Sequence, residues 1–117
     1  MSKKLHNDEL SLDIINYLKK HENTSQRALA GNLKVSIGSV NYCLRALIDK
    51  GFIKVKNFRK SNNKLSYAYI LTPMGIAKKL SLTKMFLKRK QIEYEKLQKE
   101  IYLLKREIKS EKNNIDY

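Results

Sequence analysis

Residues 24–53, TSQRALAGNLKVSIGSVNYCLRALIDKGFI, hold two apolar ladders separated by only a Lys-Val step. In the second ladder Val40, Cys43, Leu44, Leu47 and Ile48 recur at spacings of three and four, which puts them on one face of a helix. Ser36 precedes that ladder as an N-cap, and Gly51 stands where a left-handed residue closes a helix, so a helix is predicted over about 37–50. Before it, Asn23 or Thr24 can cap a helix whose inward residues are Ala28, Leu29 and Leu33. Gly31 costs that helix about 1 kcal/mol relative to alanine, which packing must offset. So short a connection permits only a sharp turn, with Val35 available to bury itself at the corner.

Upstream, residues 8–20 space Leu10, Ile14, Ile15 and Leu18 as a first amphipathic helix, acids leading and lysines trailing as the helix dipole prefers. Downstream, FIKVKNF and LSYAYIL read as two antiparallel strands around an exposed RKSNNK tip, with Tyr67 and Tyr69 as strand-packing residues. In LTPMG, Thr72 caps and Pro73 opens a further helix. The predicted fold is mainly α with a small β-hairpin: helix, helix, helix, hairpin and helix, the layout of a winged helix-turn-helix, followed by a long C-terminal coiled-coil helix.

In that tail Tyr94, Leu97, Ile101, Leu104 and Ile108 alternate steps of three and four, a heptad seam that extends backward to Leu87. Lys90 and Thr83 interrupt the frame, so the first half is expected to pack differently or to bend near Ser81–Thr83. Charges of both signs flank the seam, which favours a helix partner, and so a dimer, over a helix buried in its own domain or lying on a membrane. The expected organisation is a winged helix-turn-helix over residues 1–80, a dimerisation helix over 81–110 and a frayed tail over 111–117.

The chain has 25 Lys and Arg against 11 Asp and Glu, a net charge of +14 that calls for a polyanionic partner. Between Asp49 and Glu93 there is no acid, while twelve basic residues fall from Lys50 to Lys90. On the third helix the core-facing ladder leaves Gly38, Ser39, Asn41, Tyr42 and Arg45 outside. An arginine fork matches guanine O6 and N7, an asparagine amide matches adenine, and small residues let the helix start approach a groove closely. Ser36 or Ser39 can donate to phosphate at the helix start. Lys54, Lys56, Arg59, Lys60 and Lys64 line the hairpin, where they can neutralise phosphates or, for Arg59, enter the minor groove.

A single cysteine excludes an intramolecular disulfide, and Cys43 falls on the inward side of its helix as a structural thiol. With only His6 and His21 there is no zinc-ligand spacing, and no metal or cofactor is expected. No nucleophile with a base, paired carboxylates or phosphate loop marks an enzyme. No apolar leader or membrane-length run is present, so a cytoplasmic protein without membrane contact is expected.

The stretch quoted above, with its closing L..L...G.I run, and YILTPMG at residues 69–75 resemble the MarR-like winged-helix transcriptional regulators. The resemblance covers about residues 8–80, and the short form with a coiled-coil tail is similar to the small branch associated with exopolysaccharide genes. It implies a third helix in the major groove through Ser36, Ser39, Asn41, Tyr42 and Arg45, and a wing contributing Arg59, Lys60 and Asn62. Longer members dimerise through helices from both ends, whereas here the tail from Ser81 would act alone, and a family-type ligand pocket is not expected. The function these features point to is sequence-specific binding of double-stranded DNA by a homodimeric regulator, a repressor on a roughly palindromic operator. A protein-binding adaptor and a nonspecific nucleic-acid binder stay open as alternatives.

Overall fold

The computed structural model describes the backbone of residues 2–21, 23–61 and 64–115, and the side chains of residues 7–21, 23–56 and 67–115. In chain order it contains α1 (Ser2–Lys20), β1 (Asn23–Thr24), α2 (Gln26–Leu33), α3 (Ile37–Asp49), β2 (Ile53–Ser61), β3 (Lys64–Leu71) and α4 (Pro73–Ile115). Two compact units result, residues 1–83 and 84–117.

Leu10, Ile14, Ile15 and Leu18 of α1 are all buried, as their spacing requires. The helix starts at Ser2 rather than near Asp8, because no glycine or proline interrupts the preceding residues, and its first turn therefore contains no acid. Lys19 and Lys20 do occupy its last turn. The cap of α2 is Ser25, whose Oγ accepts the Ala28 N–H at 3.0 Å, and not Asn23 or Thr24. Those two residues are taken by β1, which pairs antiparallel with β3 through Asn23↔Ala68 and Thr24↔Tyr67. The sheet thus has three strands in the order β1-β3-β2, where the sequence shows only a hairpin. The inward face of α2 differs from the expected frame: Leu29 and Ala30 are buried, Leu33 is half-buried and Ala28 is exposed.

Between α2 and α3, Lys34 adopts the left-handed conformation at φ 57°, and Val35 donates its N–H to the Ala30 carbonyl at 3.1 Å. Val35 packs half-buried against the core at the corner. Helix α3 buries Val40, Cys43, Leu44 and Leu47, with Ile48 at the margin. Its exit is closed by Gly51 at φ 80°, with Gly51 N–H to Ile48 O at 3.0 Å and Phe52 N–H to Leu47 O at 2.9 Å. These are the paired bonds of a glycine-closed helix end.

The β2–β3 ladder continues to Ser61↔Lys64, so the strands extend into the RKSNNK segment assigned to the tip. A bulge between Val55 and Asn57 leaves Lys56 as the extra residue. Tyr69 is buried and Tyr67 packs against the core, their rings 5.8 Å apart, which bears out their packing role.

Thr72 opens α4 as expected. Its Oγ accepts the Gly75 N–H at 3.0 Å and donates to the Gly51 carbonyl, while its N–H reaches Phe52 O at 3.1 Å. Gly75 is required here, since a Cβ at that position would lie 2.0 Å from the Phe52 carbonyl oxygen. The first unit also buries Leu82, beyond residue 80. Helix α4 runs without interruption through Ser81–Thr83, and it continues to Ile115 instead of fraying after Ser110, because Glu111 and Lys112 sustain it.

Candidate nucleic-acid interface

The entrance to α3 is fixed by its own serines. Ser36 is extended at φ −71°, ψ 153°, and its Oγ accepts the Ser39 N–H at 3.0 Å and donates to Ser39 Oγ at 2.8 Å. That cap holds the first helical N–H groups in order at the end where an anion is favoured. Gly38 is exposed, and a Cβ there would meet nothing nearer than Ser36 Oγ at 3.9 Å, so its absence keeps the helix entrance low. Gly38, Tyr42 and Arg45 follow at steps of four and three along one outward face. Tyr42 is 63% exposed and Arg45 is exposed, whereas the opposite face of the same helix is filled by Val40, Cys43, Leu44 and Leu47.

Asn41 lies at the border between those faces. It is half-buried, and its Nδ2 donates to Gln26 Oε1 of α2 at 3.1 Å. Burial pushes up the pKa of the Tyr69 hydroxyl, against Gln26, which lowers it. Gln26 was not among the residues marked by the sequence, since it carries no periodic or charge signal and lies 15 positions from its partner.

The cysteine behind this face is buried. Burial raises its thiol pKa, and Asp8 adds to that effect, against a hydrogen bond from Ser11 that lowers it. Such a thiol stays protonated and inert, in keeping with a packing role.

In the wing, Lys54 and Lys56 are exposed on β2, Lys56 at the bulge. The side chains of Arg59, Lys60 and Lys64, and all of Asn62, lie outside the described residues. The structure therefore places Ser36, Gly38, Tyr42 and Arg45 at the outward side of α3, leaves Ser39 and Asn41 half-buried at its edges, and leaves the two described wing lysines open to solvent.

In the second unit, every residue of the heptad seam is exposed: Leu87, Tyr94, Leu97, Ile101, Leu104 and Ile108. Around them Lys90 pairs with Glu93 at 3.3 Å, Gln98 Nε2 donates to Tyr94 Oη at 2.9 Å, and Arg89 lies over the Phe86 ring. Among the described residues no helix is long and apolar enough to cross a membrane.

Residues 7–54, from α1 to the start of β2, match a family model described as winged helix-turn-helix DNA-binding. Among solved structures, the PcaV transcriptional regulator from Streptomyces coelicolor, crystallised with its natural ligand, superposes with a TM-score of 0.59 at 15% identity, over 70% of this chain and 57% of that one. A MarR transcriptional regulator from Methanosarcina mazei gives a TM-score of 0.55 at 19% identity, over 71% and 53% of the two chains. The chain has the MarR winged-helix fold. A variant of MepR from Staphylococcus aureus bound to an oligodeoxyribonucleotide shares it, with a TM-score of 0.54 at 21% identity over 76% and 71%. The MarR-like resemblance of the sequence is thereby borne out at the level of fold. The chain spans little more than half the length of the first structures it matches. No curated protein gives a significant match to its sequence.

Proposed function

We propose that this protein is a sequence-specific double-stranded DNA-binding transcriptional regulator that works as a homodimer. The observation that carries the proposal is the division of α3, which fills the core with one face and offers Ser36, Gly38, Tyr42 and Arg45 on the other, with Ser39 and Asn41 half-buried between them. In this role the residues at the helix entrance take phosphate, Arg45 and Asn41 read base edges, and Tyr42 meets base or sugar surface in the major groove. Lys54 and Lys56 neutralise the adjacent backbone, joined by Arg59, Lys60, Asn62 and Lys64. The oligodeoxyribonucleotide bound to the MepR variant supports DNA binding by this fold.

The exposed seam supports pairing of two chains through residues Leu87 to Ile108 of α4. Residues 1–80 then form the reading domain and 81–110 the pairing helix. Two-fold symmetry would place two recognition helices on two half-sites and make the operator roughly palindromic, with repression by promoter occupancy in the cytoplasm. The protein binds and does not catalyse.

Selection of bound fragments from random duplex DNA, followed by sequencing, tests the proposal: a two-fold related motif is expected. Equal retention of all sequences would leave only a nonspecific binder, and no retention at moderate salt would favour a protein-binding adaptor. The full chain carrying Leu97→Asp and Leu104→Asp should sediment as a monomer. A dimer that survives both changes would remove the seam from the assembly.

A further inference from the structure

We propose that Gln26 is a positioning residue for base recognition, fixing the orientation of the Asn41 amide from behind; the inference rests on α3 being the DNA-reading helix. Asparagine carries one acceptor and two N–H donors, and the two ends of its amide present opposite hydrogen-bond patterns to a base. Left to rotate about its last torsion, it offers either pattern. Adenine requires both at once, an acceptor for its N6 amine and a donor for N7.

In the structure one Asn41 N–H is already committed to Gln26 Oε1 at 3.1 Å. That bond restricts rotation of the amide and leaves Oδ1 and one N–H without a bond to Gln26; with the N–H remote from Oδ1 as the one engaged, the remaining pair is what adenine needs. Gln26 is itself held by its backbone: it is the first residue of α2, immediately after the Ser25 cap, and it is half-buried. The Gln26–Asn41 bond therefore anchors a groove-edge amide to the start of α2 through a half-buried partner, so that less torsional freedom is lost when the base is met.

This assigns Gln26 a specificity role although it need not touch DNA. Removing it would leave Asn41 in place but unoriented, and the loss would fall on one base position in each half-site. General affinity for duplex, which comes from phosphate contacts, would be kept.

The test is fragment selection from random duplexes with the full-length wild type, Gln26→Ala and Asn41→Ala, each shown by circular dichroism to be folded. In the wild type one half-site position is expected to prefer adenine. Asn41→Ala should erase that preference, and Gln26→Ala should weaken it by roughly ten-fold at the same position with the other positions intact. Combining Gln26→Ala with Asn41→Ala should add nothing to Asn41→Ala alone, as expected for a residue that acts through its neighbour. A Gln26→Ala protein that retains the full preference overturns the inference while leaving the DNA-reading function standing. A wild type that enriches no motif overturns both.

Discussion

One methyl group at Gly75 should cost the first unit much of its stability, although alanine is the better helix former. The added Cβ would lie 2.0 Å from Phe52 O, 2.9 Å from its carbonyl carbon and 3.1 Å from Leu71 Cγ. A relaxed C···O contact needs about 3.3 Å, so either the carbonyl or the first turn of α4 must retreat by more than about 1 Å. Both are tethered: Phe52 O accepts the Thr72 N–H at 3.1 Å, and Thr72 Oγ caps α4 through the Gly75 N–H at 3.0 Å. Overpacking costs about 1–3 kcal/mol. A lost cap and a lost hydrogen bond cost about 1 kcal/mol each. Helix propensity returns about 1 kcal/mol. The expected net loss for Gly75→Ala is about 2–4 kcal/mol. Gly31→Ala is the internal control, because an added Cβ there meets nothing within 4 Å and the site is exposed. It should gain about 0.5–1 kcal/mol. Urea unfolding followed by circular dichroism at fixed protein concentration compares the three proteins. Equal or greater stability of Gly75→Ala would refute the argument from close approach.

Arg45→Ala should relax base preference at one half-site position, while Lys54→Ala should weaken cognate and scrambled duplexes alike and lower the salt slope by about one unit, both read from binding isotherms over a salt series. Native Cys43 should react with a thiol reagent far more slowly than the urea-unfolded chain, and equal rates would contradict its burial. The Asp13 carboxyl is raised above 3.8 by desolvation and then by Glu9. The folded state thus holds that proton more tightly, a contribution present below 3.8 and lost as pH rises through the elevated folded value. Asp13→Asn should therefore be more stable than the wild type at neutral pH, with the difference shrinking in acid. Thermal melts across pH check the sign.

Much of the fold was legible because its signals are local. The spacing of Val40, Cys43, Leu44 and Leu47 defines α3, and Ser36 and Gly51 mark its ends through cap chemistry that involves only near neighbours. Less legible was anything set by partners distant in sequence. Asn23 and Thr24 look like helix caps until β3 pairs with them, and the true cap, Ser25, follows once they are taken. Lys34 at φ 57° gives no warning either, since a left-handed lysine is held by the turn around it and not by its own preference. At the candidate interface, periodicity separated inward from outward residues on α3. It could not show that Asn41 is already bonded to Gln26, because that bond joins two helices whose meeting depends on the turn between them.

The two-residue strand β1 has a consequence for how the molecule comes to be folded. It joins residues 23–24 to residues 67–68, so the sheet cannot be completed until a long stretch of chain has closed on itself. Residues 7–54, though they contain α2 and α3 whole and most of α1, therefore lack one side of that pairing. Completing the three-stranded sheet requires the wing, and a chain ending before β3 would leave Asn23 and Thr24 without their ladder partners.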